Sequence, residues 1–164
     1  MENMTTQTIQ ANVITPDELL AHWQGHRALT RRTIEAFPEK ELFEFSIGGM
    51  RTFAELIMEL LGIAGPGIKE IVHGETTALN EKFDHQNKKE NLLKAWDETT
   101  TILNEYFPKI EEEDFHTKIK AFGQYDGTVQ STVFYFIDNE IHHRAQGYVY
   151  LRSLGIQPPF FWER

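Results

Sequence analysis

Helix-start signals recur along the chain and constrain its fold more than any other feature. Residues 15–18 and 52–55 both read Thr-x-x-Glu, the spacing of a capping box, in which a hydroxyl and a carboxylate bond free backbone N–H groups at a helix start. A similar cap-then-Glu pattern begins at Asn87, and Thr128 opens the longest segment of helical periodicity. Each signal precedes apolar residues at helical spacing. Four such segments, with few strand signals, predict an all-α helical bundle.

Prolines and glycines mark where these helices are expected to end. Pro38 and Pro108 should stop the first and third helices, and Gly155 should cap the fourth. Pro66 lies among several glycines, so the second helix is expected to kink or break there.

The segments between and beyond the helices have their own predictions. Residues 42–49 are expected to form a connection that packs on the core, and residues 73–87 a polar loop with a short helical turn. Residues 116–122 are expected to form a short extended arm. Turns are expected after the arm, at Gly123, Asp126 and Gly127. The chain is predicted to be a single domain over 1–164, with a flexible lead-in at 1–13 and a docked aromatic tail at 156–164.

Composition excludes several classes of protein. The absence of cysteine rules out a disulfide scaffold, a Cys-ligated zinc site and thiolate catalysis by the chain itself. A formal net charge of −9 opposes nucleic-acid binding, which depends on Lys and Arg facing phosphates. No apolar run is long enough to span a membrane, and the first ten residues lack the pattern of a signal peptide. A cytoplasmic location is therefore expected.

Histidines are the first candidates for chemistry, because imidazole is a common metal ligand and general base. His22 and His26 lie four residues apart on one face of the first helix, as in helical metal sites. They also flank Trp23, so a packing or dimer surface is the alternative. Three further histidines fall in polar segments and are expected at the surface: His73, His85 and His116.

The last helix carries a second group of candidates at residues 139–144. Asn139 and His143 share one face, whereas His142 is rotated by about 100° around the helix. Glu140 and Arg144 have the spacing of an ion pair between successive turns. His143 is either a ligand or a hydrogen-bonded core residue.

Glu59 interrupts an apolar run at residues 56–61. A carboxylate is costly to bury unless it is paired, protonated or bound to a metal. It lies four residues after Glu55, so the alternative is that both mark the solvent face of the helix.

Three stretches resemble the DinB-like family (DNA-damage-inducible family B). Residues 139–164, NEIHHRAQGYVYLRSLGIQPPFFWER, resemble its last helix and tail, residues 49–56 resemble the entry to its second helix, and Trp96-Asp97 fits its third. The resemblance implies a four-helix bundle of up-down-down-up topology, often a homodimer. It also implies a divalent metal held by three histidines at one end of the bundle.

This sequence departs from the family's metal ligands. The two family positions on Glu59 and Asn139 have lost their histidines, and only His143 keeps its identity. The resemblance therefore implies a set of two oxygen ligands and one nitrogen ligand, which suits zinc, nickel, iron or manganese, or holds no metal. The family gives His22 and His26 no ligand role.

Competing functions follow from the resemblance. One is a metal-dependent enzyme similar to thiol-S-transferases, acting on a small-molecule thiol supplied from outside the chain, with His143 as a ligand and Glu59 as a ligand or base. Its substrate is not identified by the sequence. The alternative is a catalytically inactive binding or stress-associated homodimer without bound metal. A third is a homodimeric structural protein that uses Trp23 and the aromatic tail as its surface.

Overall fold

The computed structural model of the protein describes residues 13–164, so the predicted lead-in lies outside the described residues except for Val13. Five α-helices form most of the structure: α1 (Pro16–Ala36), α2 (Glu39–Glu44), α3 (Phe53–His73), α4 (Lys89–Tyr106) and α5 (Val129–Ser153). Two 3₁₀ turns follow α4, at Phe107–Lys109 and Glu112–His116. Two short strands, β1 (Lys118–Ala121) and β2 (Tyr125–Thr128), pair antiparallel just before α5.

Local capping explains where three of the long helices begin. Both predicted capping boxes form, at Thr15 for α1 and Thr52 for α3, and Thr128 caps α5 through the backbone N–H of Ser131. The prediction at Asn87 is wrong. Helix α4 follows Lys88, which makes no side-chain cap, and Asn87 instead takes the left-handed backbone conformation that ends the preceding loop.

Helix α3 runs through Pro66 without a break, contrary to one of the two outcomes expected there. Proline removes a backbone hydrogen bond from a helix. Buried apolar side chains lie on both sides of it, including Ile63 and Ile68. Tertiary packing of this kind supplies most helical stability in proteins, so it holds α3 together across the proline.

Contacts between the four long helices define their directions. Helix α1 runs antiparallel to α4 and parallel to α5, as the residue pairs Gln24–Asn104, Arg31–Asp97, Trp23–Glu140 and His26–Arg144 show. Helix α3 runs antiparallel to α5, because Glu59 near its start contacts His143, whereas Gly67 further along contacts Phe136, which lies earlier on α5. It runs parallel to α4, as the contacts Gly65–Thr99 and His73–Tyr106 show. The bundle is therefore up-down-down-up, as expected.

Two glycines let α3 and α5 approach closely on either side of the predicted site. A Cβ atom at Gly147 of α5 would overlap the Phe53 ring, and one at Gly67 of α3 would overlap the Phe136 ring. Glycine is used where a backbone must come this close to a neighbour. The two contacts fix the separation of the helices that carry Glu59 and His143.

The connections differ from prediction in detail. The 42–49 segment does pack on the core through buried Leu42, but part of it forms helix α2. The extended arm is β1, and Asp126 and Gly127 lie in β2 rather than in turns because they pair with Lys120 and Ile119. The loop after α3 has no helical turn, only a hydrogen-bonded turn near residues 86–87.

The tail at 156–164 departs from the predicted docking only at its aromatic residues. Phe160, Phe161 and Trp162 remain 47–64% exposed, so their rings are not docked on the body. The start of the tail does pack on the body, because Ile156 contacts the core and Pro158 is buried. Its end is attached through polar groups, since Arg32 of α1 donates to the Glu163 carbonyl and Arg164 approaches His26.

Trp23 does not form part of a dimer surface, contrary to the role considered for it from the sequence. Its side chain is completely buried in the core, so it offers nothing to a dimer surface. Among residues 13–164, no helix combines the length and the hydropathy needed to cross a membrane.

Candidate functional site

The structure brings together the three side chains named from the sequence. Glu59 projects from α3 between Asn139 and His143, which lie one turn apart on α5. Asn139 Nδ2 donates to Glu59 Oε1 at 2.9 Å, and His143 Nε2 lies 3.1 Å from the same oxygen. Glu59 is thus paired across the helix interface rather than placed on an open solvent face.

Arg51 completes this cluster. It precedes the N-cap of α3, and its guanidinium Nη2 donates to Glu59 Oε2 at 2.6 Å. A nearby contact fixes its backbone, since the Tyr150 hydroxyl donates to the Arg51 carbonyl at 2.8 Å. Both carboxylate oxygens of Glu59 therefore have partners within the protein.

His143 is held from both sides of its ring. Its Nδ1 lies 2.9 Å from Gln146 Oε1 on the next turn, and its Nε2 faces Glu59. The ring is buried, so these two contacts set its orientation. An N–H at Nε2 donates to the Glu59 carboxylate, and the Gln146 amide can accept from or donate to the other nitrogen.

The cluster stabilises the charged form of Glu59. Burial alone would raise the pKa of this carboxyl, but hydrogen bonds from Asn139, His143 and Arg51 outweigh it and lower the pKa to about 2. Glu59 is therefore an anion at neutral pH.

A cavity of about 470 Å³ opens beside the Glu59–Arg51 pair. Its walls come from α3, from the loop after α3, from the β1–β2 hairpin and from the first turns of α5. This volume lies within the range of small-molecule sites. Tyr135 lies on its wall, and burial together with the nearby Glu59 charge raises the pKa of the Tyr135 hydroxyl.

The sequence matches the DinB family over residues 1–163. The chain belongs to the DinB family. No curated protein sequence matches it. Among solved structures it is similar to a DinB-like protein of Bacillus cereus ATCC 10987, with a TM-score of 0.68 and 15% identity over 88% of this chain and 95% of the other. It is also similar to the DinB-like protein YjoA of Bacillus subtilis, with a TM-score of 0.67 and 20% identity over 89% of this chain and 99% of the other. Both likenesses show the fold.

The residues of this DinB-family chain do not fit a resident divalent metal. Asn139 and His143 both bond to Glu59, the third position taken from the resemblance, and Asn139 presents its NH₂ group to it. The Arg51 guanidinium takes the remaining carboxylate oxygen and brings a positive charge that opposes a second cation. Within residues 13–164, no group of three or more His, Cys, Asp or Glu side chains is placed to hold a metal ion.

A second polar cluster lies between α1 and α5, around Glu140. This buried carboxylate accepts hydrogen bonds from Trp23 Nε1 at 3.1 Å and from Thr30 Oγ1 at 2.7 Å. Arg27 and Arg144 approach it to 3.8 and 3.9 Å. The predicted pairing of Glu140 with Arg144 is present but buried, so it belongs to the interior of the bundle.

His22 and His26 come together, with their Nε2 atoms 3.1 Å apart. Guanidinium groups face both nitrogens of His26, Arg144 at Nδ1 and Arg164 at Nε2. Burial, followed by the Arg144 charge, lowers the pKa of His26 to about 4. Two neighbouring cations oppose binding of a metal ion here.

The other histidines lie mostly at the surface, as expected for His73, His85 and His116. His142, His73 and His116 are exposed, whereas His85 is half-buried because its ring stacks on Phe43 at 4.6 Å between centroids.

Sequence reasoning missed Arg51 and Gln146 as site residues. Gln146 follows His143 by three residues on the same helix, so helical spacing alone places it within reach. The sequence gives a weaker indication for Arg51. It lies before the N-cap of α3, so its contact with Glu59 depends on how the chain enters the helix rather than on helical spacing.

Proposed function

We propose that this DinB-family chain is a metal-independent small-molecule-binding protein, with the cavity beside Glu59 as its binding site. The observation that carries the proposal is the complete pairing of the Glu59 carboxylate by Arg51, Asn139 and His143. The Arg51 guanidinium supplies the positive charge that a metal ion would otherwise supply.

The energetics of the cluster support this function. A divalent cation would have to displace Arg51 from a 2.6 Å contact and turn the Asn139 amide to present its oxygen. Charge-assisted hydrogen bonds are stronger than neutral ones, and the largely buried Glu59 would lose one, although exposure of Arg51 limits the cost to about 1 kcal/mol.

The basicity of Glu59 also favours binding over proton transfer. A general base works best with a pKa near the operating pH. Hydrogen bonds outweigh the opposing effect of burial and lower the pKa of Glu59 to about 2, so this carboxylate is a weak base at pH 7. Its role in the proposal is to hold Arg51 at the cavity wall.

Elemental analysis of protein purified without chelator tests the proposal. The expected result is zinc, nickel, iron and manganese far below one per chain. Stoichiometric metal that disappears in both the Glu59→Ala and the His143→Ala variants would contradict it. The Glu98→Ala variant, which changes an exposed carboxylate on α4, is the matched control.

A second candidate is the metal-dependent enzyme, similar to thiol-S-transferases, with Glu59, Asn139 and His143 as ligands. Its support is that Asn139 Nδ2 and His143 Nε2 lie 2.9 and 3.1 Å from the same Glu59 oxygen, so the three side chains converge on one point. Metal-dependent consumption of a small thiol, lost in the His143→Ala variant, would favour it over the first candidate. A homodimeric state and a thiol substrate supplied from outside the chain both remain predictions. Light scattering of the purified chain measures its oligomeric state.

A further inference from the structure

The cavity beside Glu59 has aromatic walls. Phe122 and Phe136 form its buried part, whereas the Tyr125 and Tyr135 side chains are 58% and 57% exposed at its rim. Aromatic faces bind apolar groups, and they also attract cations through the negative potential above the ring. The walls suit a ligand with an apolar body.

The charge at the cavity is unbalanced. Glu59, Glu81 and Asp126 line it, against the single cation Arg51, which already pairs with Glu59. Within residues 13–164, the carboxylates of Glu81 and Asp126 have no hydrogen bond or ion pair to a side chain. Both side chains are exposed at the cavity, so their negative charges are hydrated and accessible to a ligand.

Thr132 adds an independent observation that points to a ligand. It lines the cavity on the first turns of α5 and is only 9% exposed. Its hydroxyl makes no hydrogen bond to any residue in the part of the chain that the structure describes. Because the side chain lines the cavity and no described protein group bonds to its hydroxyl, a ligand donor or acceptor can form a hydrogen bond there.

We propose that the cavity binds a small organic cation, an ammonium group carried on an apolar or aromatic body. This inference rests on the proposed function and names the ligand class for the same site. The ammonium group neutralises Glu81 and Asp126 and donates to the Thr132 hydroxyl, while the apolar body packs against the aromatic walls. An anion of the same size meets two unpaired carboxylates, and a neutral ligand leaves them unpaired.

Three probes of similar shape and different charge test the ligand class: phenethylammonium, 2-phenylethanol and 3-phenylpropionate. Their binding to the full chain is measured by calorimetry and by NMR chemical-shift changes at pH 7. The ammonium should bind about tenfold or more tightly than the carboxylate, because each unpaired carboxylate of the cavity contributes about two- to fivefold.

Variants identify which groups make the distinction. Glu81→Gln with Asp126→Asn should remove the preference for the ammonium over the alcohol. Thr132→Val, which keeps the shape of the side chain, should weaken ammonium binding about fivefold. Glu98→Gln removes one negative charge away from the cavity and should leave the preference unchanged.

The inference is overturned if the carboxylate binds as tightly as the ammonium, if none of the three probes binds, or if Glu98→Gln acts like the cavity variants. The metal content of the same preparation is measured in parallel. Stoichiometric metal would refute the proposed function, whereas a metal-free chain that prefers the alcohol or the carboxylate refutes only the ligand class.

Discussion

Replacing Glu59 by glutamine removes the charge at the centre of the candidate site while keeping its shape. Burial acts to raise the pKa of Glu59, but hydrogen bonds and the His143 charge lower it from 4.5 to about 2. A difference of that size between the folded and unfolded chains corresponds to an upper limit of about 3 kcal/mol at pH 7, which solvent screening at the 45% exposed Arg51 side chain reduces. We expect Glu59→Gln to lower the free energy of unfolding by up to this amount.

The pH dependence follows from the direction of the pKa shift. A carboxyl with a lowered folded-state pKa contributes its full stability above its unfolded value of 4.5, and this contribution is lost as the pH falls toward about 2. The difference between wild type and Glu59→Gln should therefore shrink by about half or more between pH 7 and pH 3.

Urea unfolding followed by circular dichroism at both pH values measures this difference. Glu98→Gln, at an exposed position of α4, is the matched control and should change stability little at either pH. A Glu59→Gln variant as stable as wild type at pH 7, or a difference that does not depend on pH, would refute the assignment of Glu59 as a paired anion.

Three further predictions concern the rest of the bundle. Burial and the Arg144 charge lower the pKa of His26 to about 4, so wild-type stability should fall by up to about 3 kcal/mol from pH 6.5 toward pH 4. Urea unfolding measures this fall, and the same fall in a His26→Gln variant would contradict the prediction. Glu140→Gln should cost about 3–5 kcal/mol, because it leaves buried partners unpaired; a thermal melt close to that of wild type would refute it. Gly147→Ala should cost about 1–3 kcal/mol by overpacking against Phe53, and unchanged urea unfolding would show that the helices can separate there.

Features encoded by neighbouring residues were predictable from the sequence. The capping boxes at Thr15 and Thr52 depend on contacts three residues apart, so the sequence shows them directly. The shared face of Asn139 and His143 likewise follows from helical geometry. The meeting of that face with Glu59 came from the resemblance, because no local pattern relates residues on different helices.

Features that depend on long-range packing were not predictable. Asn87 fails as a cap because the preceding loop turns at that residue, although its spacing to Glu90 is correct. The cavity requires the loop after α3 to lie against the bundle, where an Asn80 backbone carbonyl takes the space beside Gly62. The Arg51 contact depends on the same kind of tertiary approach.

Calorimetric titration of a divalent metal into the purified chain tests the central claim most directly. Zinc and manganese are titrated into the wild type and into a Glu59→His/Asn139→His variant, which places imidazoles at all three resemblance-derived positions. We expect no saturable binding to the wild type and stoichiometric binding to the double variant, because the variant loses the carboxylate that Arg51 pairs with. Stoichiometric binding to the wild type, abolished by His143→Ala, would contradict the account.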